Sequence, residues 1–194
     1  MKKLVLTTIS LCTALVFFGS NTEAASDYYV QPGDTLWEIS NNYQVPVPAI
    51  KKVNHLWNNY LYAGQKLTIP SAISSYEKDL LARLVNAEAK GEPYAGKVAV
   101  ATVVLNRVDS SDFPNSVHNV VYQKAYGHYA FTPVQNGEIN KPASWSSKKA
   151  VEEAIAFRGQ GQDSLYFYNP RTATSDWITT REVTVTIGKH RFAK

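Results

Sequence analysis

The apolar positions of this chain recur at helical spacing through one stretch after another, and one of those stripes contains a carboxylate. Leu81, Leu84, Val85 and Glu88 stand at i, i+3, i+4 and i+7, which is one face of a helix. Arg83, Asn86 and Lys90 fall on the opposite, polar side. Gly91, Glu92 and Pro93 follow and stop the helix. The spacing therefore predicts a helix over 76–89 with Glu88 on its oily side, at the end that meets a loop. Residues 94–108 are apolar nearly all round, and their length favours a buried central helix over a buried strand. Ser146 is expected to cap a third helix carrying Val151, Ala154, Ile155 and Phe157, with Gly159-Gln160-Gly161 ending it. Leu165 to Tyr168 reads as a strand. Val183, Val185 and Ile187 alternate with Thr184 and Thr186, a second strand with one buried face.

Residues 27–70 have a different organisation. Tyr28-Tyr29-Val30 reads as a strand and Gln31-Pro32-Gly33-Asp34 as a turn. Asp34 or Thr35 is placed to cap a helix carrying Leu36, Ile39, Ser40 and Tyr43. Pro46 and Pro48 break the chain before a second short helix through Ile50, Val53 and His55. Lys66 to Pro70 closes the unit as a strand lying beside the first. A unit this small has little core, so Trp37 and Trp57 are expected to carry much of its burial. Ser71 to Ser75 is a short polar bridge that allows limited swing. The expected fold class is α+β, a small βααβ unit (27–70), a linker (71–75) and a helix-rich unit with a small sheet (76–194).

Composition narrows the chemistry. Lys2 and Lys3, the apolar run from Leu4 to Phe18 and the small residues near Ala24 read as a secretory signal over 1–24. That apolar run is short for a membrane span, and no stable membrane anchor is expected after cleavage. Cys12, the single cysteine, lies inside this segment, so the processed chain is expected to have neither disulfide nor thiol nucleophile. Removing Lys2, Lys3 and Glu23 leaves 20 − 2 = 18 basic and 16 − 1 = 15 acidic residues, a mild positive balance suited to an anionic envelope. No basic run with interleaved aromatics points to nucleic acid. The histidines at 55, 118, 128 and 190 lack metal-ligand spacing, and no Gly-x-Ser-x-Gly elbow is present, so neither a metal nor a cofactor is expected.

Glu88 carries the chemistry. A carboxyl group in an apolar setting has its charged form disfavoured and its pKa raised. An acid that keeps its proton near neutral pH suits cleavage of a glycosidic bond. Hydrolysis by two carboxylates needs a partner at a defined separation; Glu92, Asp109, Asp112, Glu138 and Asp176 are candidates. The plainer reading pairs Glu88 with Arg83 or Arg107. Asn106 and Arg107, at the end of the buried helix, are placed either to orient a carboxylate or to cap. Tyr166 and Tyr168, on one face of their strand, with Asn169 and Gln135, are candidates for holding sugar hydroxyl or acetamido groups.

Two resemblances sharpen this. YVQPGDTLWEIS and VNHLWNNYLYAGQKLTIP closely resemble a LysM module, a family that binds N-acetylglucosamine-containing chains. The resemblance implies a groove with Gly33, Asp34, Thr35 and Leu36 on one wall and Asn59, Tyr60, Leu61 and Tyr62 on the other. NAEAKGEPYAGKVAVATVVLNRV, FTPVQNG, LYFYNPRTATSDW and IGKHRF, in that order, resemble the SleB/CwlJ family of bacterial cell wall hydrolases, associated with spore cortex lysis in germination. That resemblance implies a lysozyme-like core, peptidoglycan glycan strands as partner, lytic transglycosylase chemistry and a catalytic role for Glu88. A hydrolytic muramidase and a non-catalytic wall binder are the alternatives.

Overall fold

A computed structural model describes residues 25–125 and 127–194, and the signal segment expected over 1–24 lies outside them. The first unit is β1 (Ser26–Tyr29), α1 (Leu36–Tyr43), α2 (Val47–Val53) and β2 (Lys66–Ile69). The two strands pair antiparallel, Ser26 opposite Ile69 and Tyr29 opposite Lys66. Thr35, not Asp34, caps α1. Its hydroxyl accepts from the Glu38 amide, and the Glu38 carboxylate accepts from the Thr35 amide in return. Asp34 instead holds the turn, accepting from the Tyr28 hydroxyl at 2.5 Å and from the Gln31 amide at 2.7 Å.

The core of this unit is aliphatic: Val30, Leu36, Ile39, Val45, Ala49, Ile50, Leu67 and Ile69. The expectation that Trp37 and Trp57 supply the burial is wrong. Trp37 is 69% exposed and Trp57 96% exposed. Two short helices laid across a two-stranded ribbon are filled by branched aliphatics, and no interior space is left for an indole.

The second unit is built on α3 (Ser75–Glu88), α4 (Tyr94–Val108) and α7 (Trp145–Ala156), which pack against one another. α4 is the central helix that its composition predicts, with Val100, Ala101, Val103, Val104 and Leu105 fully enclosed. The helix α5 (Val117–Val121) closes one end of α3 and α4. A small hairpin, β3 (Lys124–Ala125) with β4 (His128–Tyr129), leads into α6 (Thr132–Gln135) and a 3-10 turn at Glu138–Asn140. The sheet is β5 (Tyr166–Tyr168), β6 (Val183–Ile187) and β7 (His190–Ala193), with β7 central and antiparallel to both neighbours. A one-turn helix, α8 (Asp176–Thr179), lies between β5 and β6.

The cap of α7 is Ser144 rather than Ser146. The Ser144 hydroxyl accepts from the Ser147 amide at 3.2 Å. Asn86 of α3 decides between the serines, because its side-chain oxygen accepts from the Ser144 amide at 3.1 Å and from the Ser147 hydroxyl at 3.2 Å. The cap of α7 is thus fixed by a helix far away in sequence.

Candidate active site

Glu88 ends α3, and the rest of that helix is organised to hold its rotation. Ser74 caps the helix through a reciprocal box with Glu77. The Glu77 carboxylate, 1% exposed, also accepts from the Val117 amide at 3.1 Å and so ties α3 to α5. On the polar side, Arg83 donates to Asp79 at 2.9 Å and to the Ile139 carbonyl at 3.0 Å, while Asn86 is bound to the start of α7. With both faces anchored, Leu81, Leu84 and Val85 turn into the core. Glu88, one turn on along the same stripe, is half-buried at the core's margin.

Burial pushes the Glu88 carboxyl up to about 7, and the Arg107 cation opposes that rise without cancelling it. Arg83 is engaged elsewhere, so of the two bases expected as partners only Arg107 acts on Glu88. Among the described residues, no hydrogen bond or ion pair ties the Glu88 carboxyl, and no second carboxylate shifts it. It is a desolvated acid that feels the Arg107 charge without pairing with it.

That cation sits in an aromatic box. The Arg107 guanidinium lies over the rings of Phe113, Phe131 and Tyr166, at 5.0, 5.2 and 5.5 Å, and Arg107 Nε donates to the Leu165 carbonyl at 2.7 Å. Burial lowers its pKa to about 10, with Tyr166 and Glu88 opposing the fall, so it stays cationic. Tyr166 continues outward. Its ring meets Trp177 edge-on at 5.1 Å, and Arg181 lies over both rings, 5.2 Å from Tyr166 and 4.4 Å from Trp177. Phe113, Phe131, Trp177 and Arg181 are absent from the sequence-level candidates. A cation–π stack assembled from four separate segments leaves no local periodicity to find.

The remaining candidates divide. Tyr168 is buried with its hydroxyl lacking a partner among the described residues. Asn169 shapes the turn after β5, its side-chain oxygen accepting from the Arg171 amide at 3.0 Å. Gln135 is exposed on α6, which packs against α3. Glu92 braces the β6–β7 turn by accepting from the Lys189 amide at 2.9 Å. Gly188 leaves room for it, since a Cβ there would strike the Glu92 carboxylate. Next to that brace, burial lowers the pKa of His190, and its Nδ1 lacks a partner among the described residues. Asn106 is structural, donating to the carbonyls of Gln162 and Ser164. Asp109 forms an enclosed ion pair with Arg158, and Glu138 pairs with Lys141.

On the first unit, Gly33 occupies its turn at φ +94, where a side chain would be strained. Leu36 belongs to the core of the unit, and Leu61 is partly buried against that core. Asn59 accepts from Lys51 Nζ at 2.9 Å. Tyr60 and Tyr62 are 75% and 74% exposed and, with Trp37 and Trp57, give the unit an unusually aromatic surface. Among the described residues no cluster of metal-binding side chains occurs, and no helix is long and apolar enough to cross a membrane.

Comparison with known proteins places both units in families. The family description "Cell Wall Hydrolase" matches residues 91–193, and "LysM domain" matches 28–70. The chain is similar to the spore cortex-lytic enzyme of Bacillus cereus, 44% identical over 126 residues, covering 65% of this chain and 47% of that protein. It is 42% identical to the spore cortex-lytic enzyme of Bacillus subtilis over 126 residues, covering 65% of this chain and 40% of the relative. This chain therefore spans less than half the length of either. Among solved structures, the catalytic domain of the Bacillus cereus SleB protein superposes with a TM-score of 0.58 at 45% identity, covering 64% of this chain and 94% of that one. The catalytic domain of the germination-specific lytic transglycosylase SleB from Bacillus anthracis gives 0.58 at 44%, covering 65% of this chain and all of the other. With the family's sequence pattern running through α4, α7 and the sheet, the chain belongs to the Cell Wall Hydrolase family and carries a LysM domain ahead of the matched region.

Proposed function

We propose that this protein is a secreted, wall-associated enzyme that cuts the glycan strand of peptidoglycan between N-acetylmuramic acid and N-acetylglucosamine, as a lytic transglycosylase. In this reading Glu88 is the one proton shuttle, and the LysM unit holds the strand. The observation that carries it is the state of Glu88: half-buried, raised to about 7, and, among the described residues, under the influence of no second carboxylate. The family match begins just past Glu88, so its role rests on this geometry and on the relatives' chemistry together. The Bacillus anthracis neighbour is described as a lytic transglycosylase.

The steps follow from that state. Protonated Glu88 gives its proton to the glycosidic oxygen, and the bond from that oxygen to the muramic anomeric carbon breaks. Positive charge develops on the ring beside the carboxylate just formed. Arg107 is close enough to stabilise the ionised carboxylate electrostatically without pairing with it. The carboxylate then takes the proton of the muramic 6-hydroxyl, whose oxygen closes onto the anomeric carbon. The product is a 1,6-anhydro sugar and no water is consumed, so one carboxyl group serves as acid and then as base.

Glu88→Gln keeps the shape and abolishes the titration. Release of soluble fragments from purified wall is expected to fall about 100-fold to 10,000-fold. Retained wall binding in a pull-down shows that the LysM unit still works in that variant. Full activity in Glu88→Gln would overturn the assignment.

A further inference from the structure

The LysM unit and the larger unit are docked on each other, and the docking leaves a cleft between them. Lys52 of α2 reaches Asp163 at 2.8 Å and Asn106 at 3.2 Å. Arg158 donates to the Ser71 carbonyl at 2.7 Å, and Ser71 donates to the Asn115 carbonyl at 3.4 Å. Gly159 lies so close to α2 that a Cβ would collide with the backbone of Pro48 and Ala49. Beside these contacts opens a cleft of about 1420 Å³, larger than the roughly 300–1,000 Å³ of a typical small-ligand pocket.

Its walls are chemically mixed. The LysM side contributes Lys51, Trp57 and Asn59, and the other side contributes Ser111, Phe113 and Gln160. The Trp57 indole is 96% exposed, and Lys51 is already hydrogen-bonded to Asn59, one of the residues on the expected LysM groove. At the far wall, Phe113 lies under the Arg107 guanidinium and 6.1 Å from the Tyr166 ring. Arg107 is the cation that acts on Glu88. One wall of the cleft is thus Phe113, a ring of the aromatic box that surrounds Arg107. An exposed indole with amide groups and a hydroxyl along one cleft is the chemistry that takes N-acetylated sugars.

We propose that this inter-unit cleft is a glycan subsite, carrying the stretch of one amino-sugar strand that lies between the LysM unit and Glu88. Trp57 is its stacking face, and Lys51 and Asn59 hold acetamido or hydroxyl oxygens. The two units then act on a single strand, and recognition extends over more sugars than the site at Glu88 alone would hold. This rests on the reading of Glu88 as the glycan-cleaving acid.

Two variants approach the cleft from opposite sides. Trp57→Ala removes the stacking face, and Ser111→Trp, on an exposed position of the larger unit, narrows the trough without touching LysM. In the full chain, each is assayed on long purified glycan strands and on fragments too short to span the units. KM for long strands is expected to rise about threefold to tenfold in each, the scale of one lost aromatic contact, and the long-to-short ratio of kcat/KM to fall by the same factor. Strand binding is read in parallel by titration in a Glu88→Gln background. A weaker affinity there supports the cleft even if no cleavage occurs, which separates it from the catalytic reading. An unaltered long-to-short ratio, or a Ser111→Trp variant that binds long strands as the parent does, would overturn the proposal.

Discussion

At the scale of single residues, Glu88 and Arg107 set the pH behaviour. The folded protein holds the Glu88 proton to about 7, against 4.5 for an unperturbed glutamate. Its ionisation therefore destabilises the fold, starting as pH rises above the unperturbed value and reaching its full extent above about 7. Glu88→Gln removes that burden. The variant should match the parent near pH 4 and exceed it above pH 7 by on the order of 1–3 kcal/mol, read by urea unfolding across pH. On the proposed mechanism the same titration ends the supply of acid, so kcat/KM should decline as pH rises through about 7. Arg107 pulls the Glu88 pKa down. Arg107→Gln is accordingly expected to move that alkaline limb to higher pH, in a pH–rate profile on glycan strands. A limb that stays in place would show that Arg107 does not govern the acid.

Glu88 was legible from spacing alone, because a carboxylate on an i, i+3, i+4, i+7 apolar stripe stands out without tertiary information. Its electrostatic setting was legible only as alternatives. Arg83 and Arg107 stood as equal partners until the fold gave Arg83 to Asp79 and Ile139. Glu92 shows the opposite case. Its position beside Glu88 in sequence suggested chemistry, while the chain returns residue 189 to take its carboxylate.

At the scale of elements, α3 is the lever that aims the acid. Glu77 links its first turn to Val117 of α5 through an enclosed carboxylate. Glu77→Ala would leave the Val117 amide buried and unsatisfied and would remove half of the capping box. A loss of about 2–3 kcal/mol is expected in chemical denaturation, with activity falling beyond what the unfolded fraction explains. A change within 0.5 kcal/mol would mean that α3 does not need this tie. The long helices were readable because their periodicity is local; α4 begins and ends where its pattern does. The cap of α7 depends on Asn86, and β7 is a strand because β5 and β6 pair with it from both sides. Neither is written in the neighbouring residues.

At the scale of the whole molecule, the two cores are separate, and one enclosed ion pair stands where the units meet. Arg158 and Asp109 are almost completely withdrawn from solvent, at 2.5 Å, and the same guanidinium holds Ser71 in the bridge. Removing one partner strands a buried charge, which costs about 3–5 kcal/mol, whereas replacing both by apolar residues of similar size costs much less. Arg158→Met should therefore be severely destabilised, and Arg158→Met with Asp109→Leu should recover most of the loss in urea unfolding. Equal losses in the single and double variants would contradict the pair's role. The misplacement of Trp37 and Trp57 belongs to this scale too. Burial in so small a unit was inferred from size, but the indoles are turned outward, where a wall-binding surface would use them.

In the proposed reaction Glu88 acts alone and no water enters. Mass analysis of the products released from purified glycan strands tests it most directly. Muramic ends lighter by one water than ordinary reducing ends are expected from the parent protein and are expected to be missing with Glu88→Gln. Reducing ends of full mass from the parent would contradict it, and would mean that a second group activates water at this site.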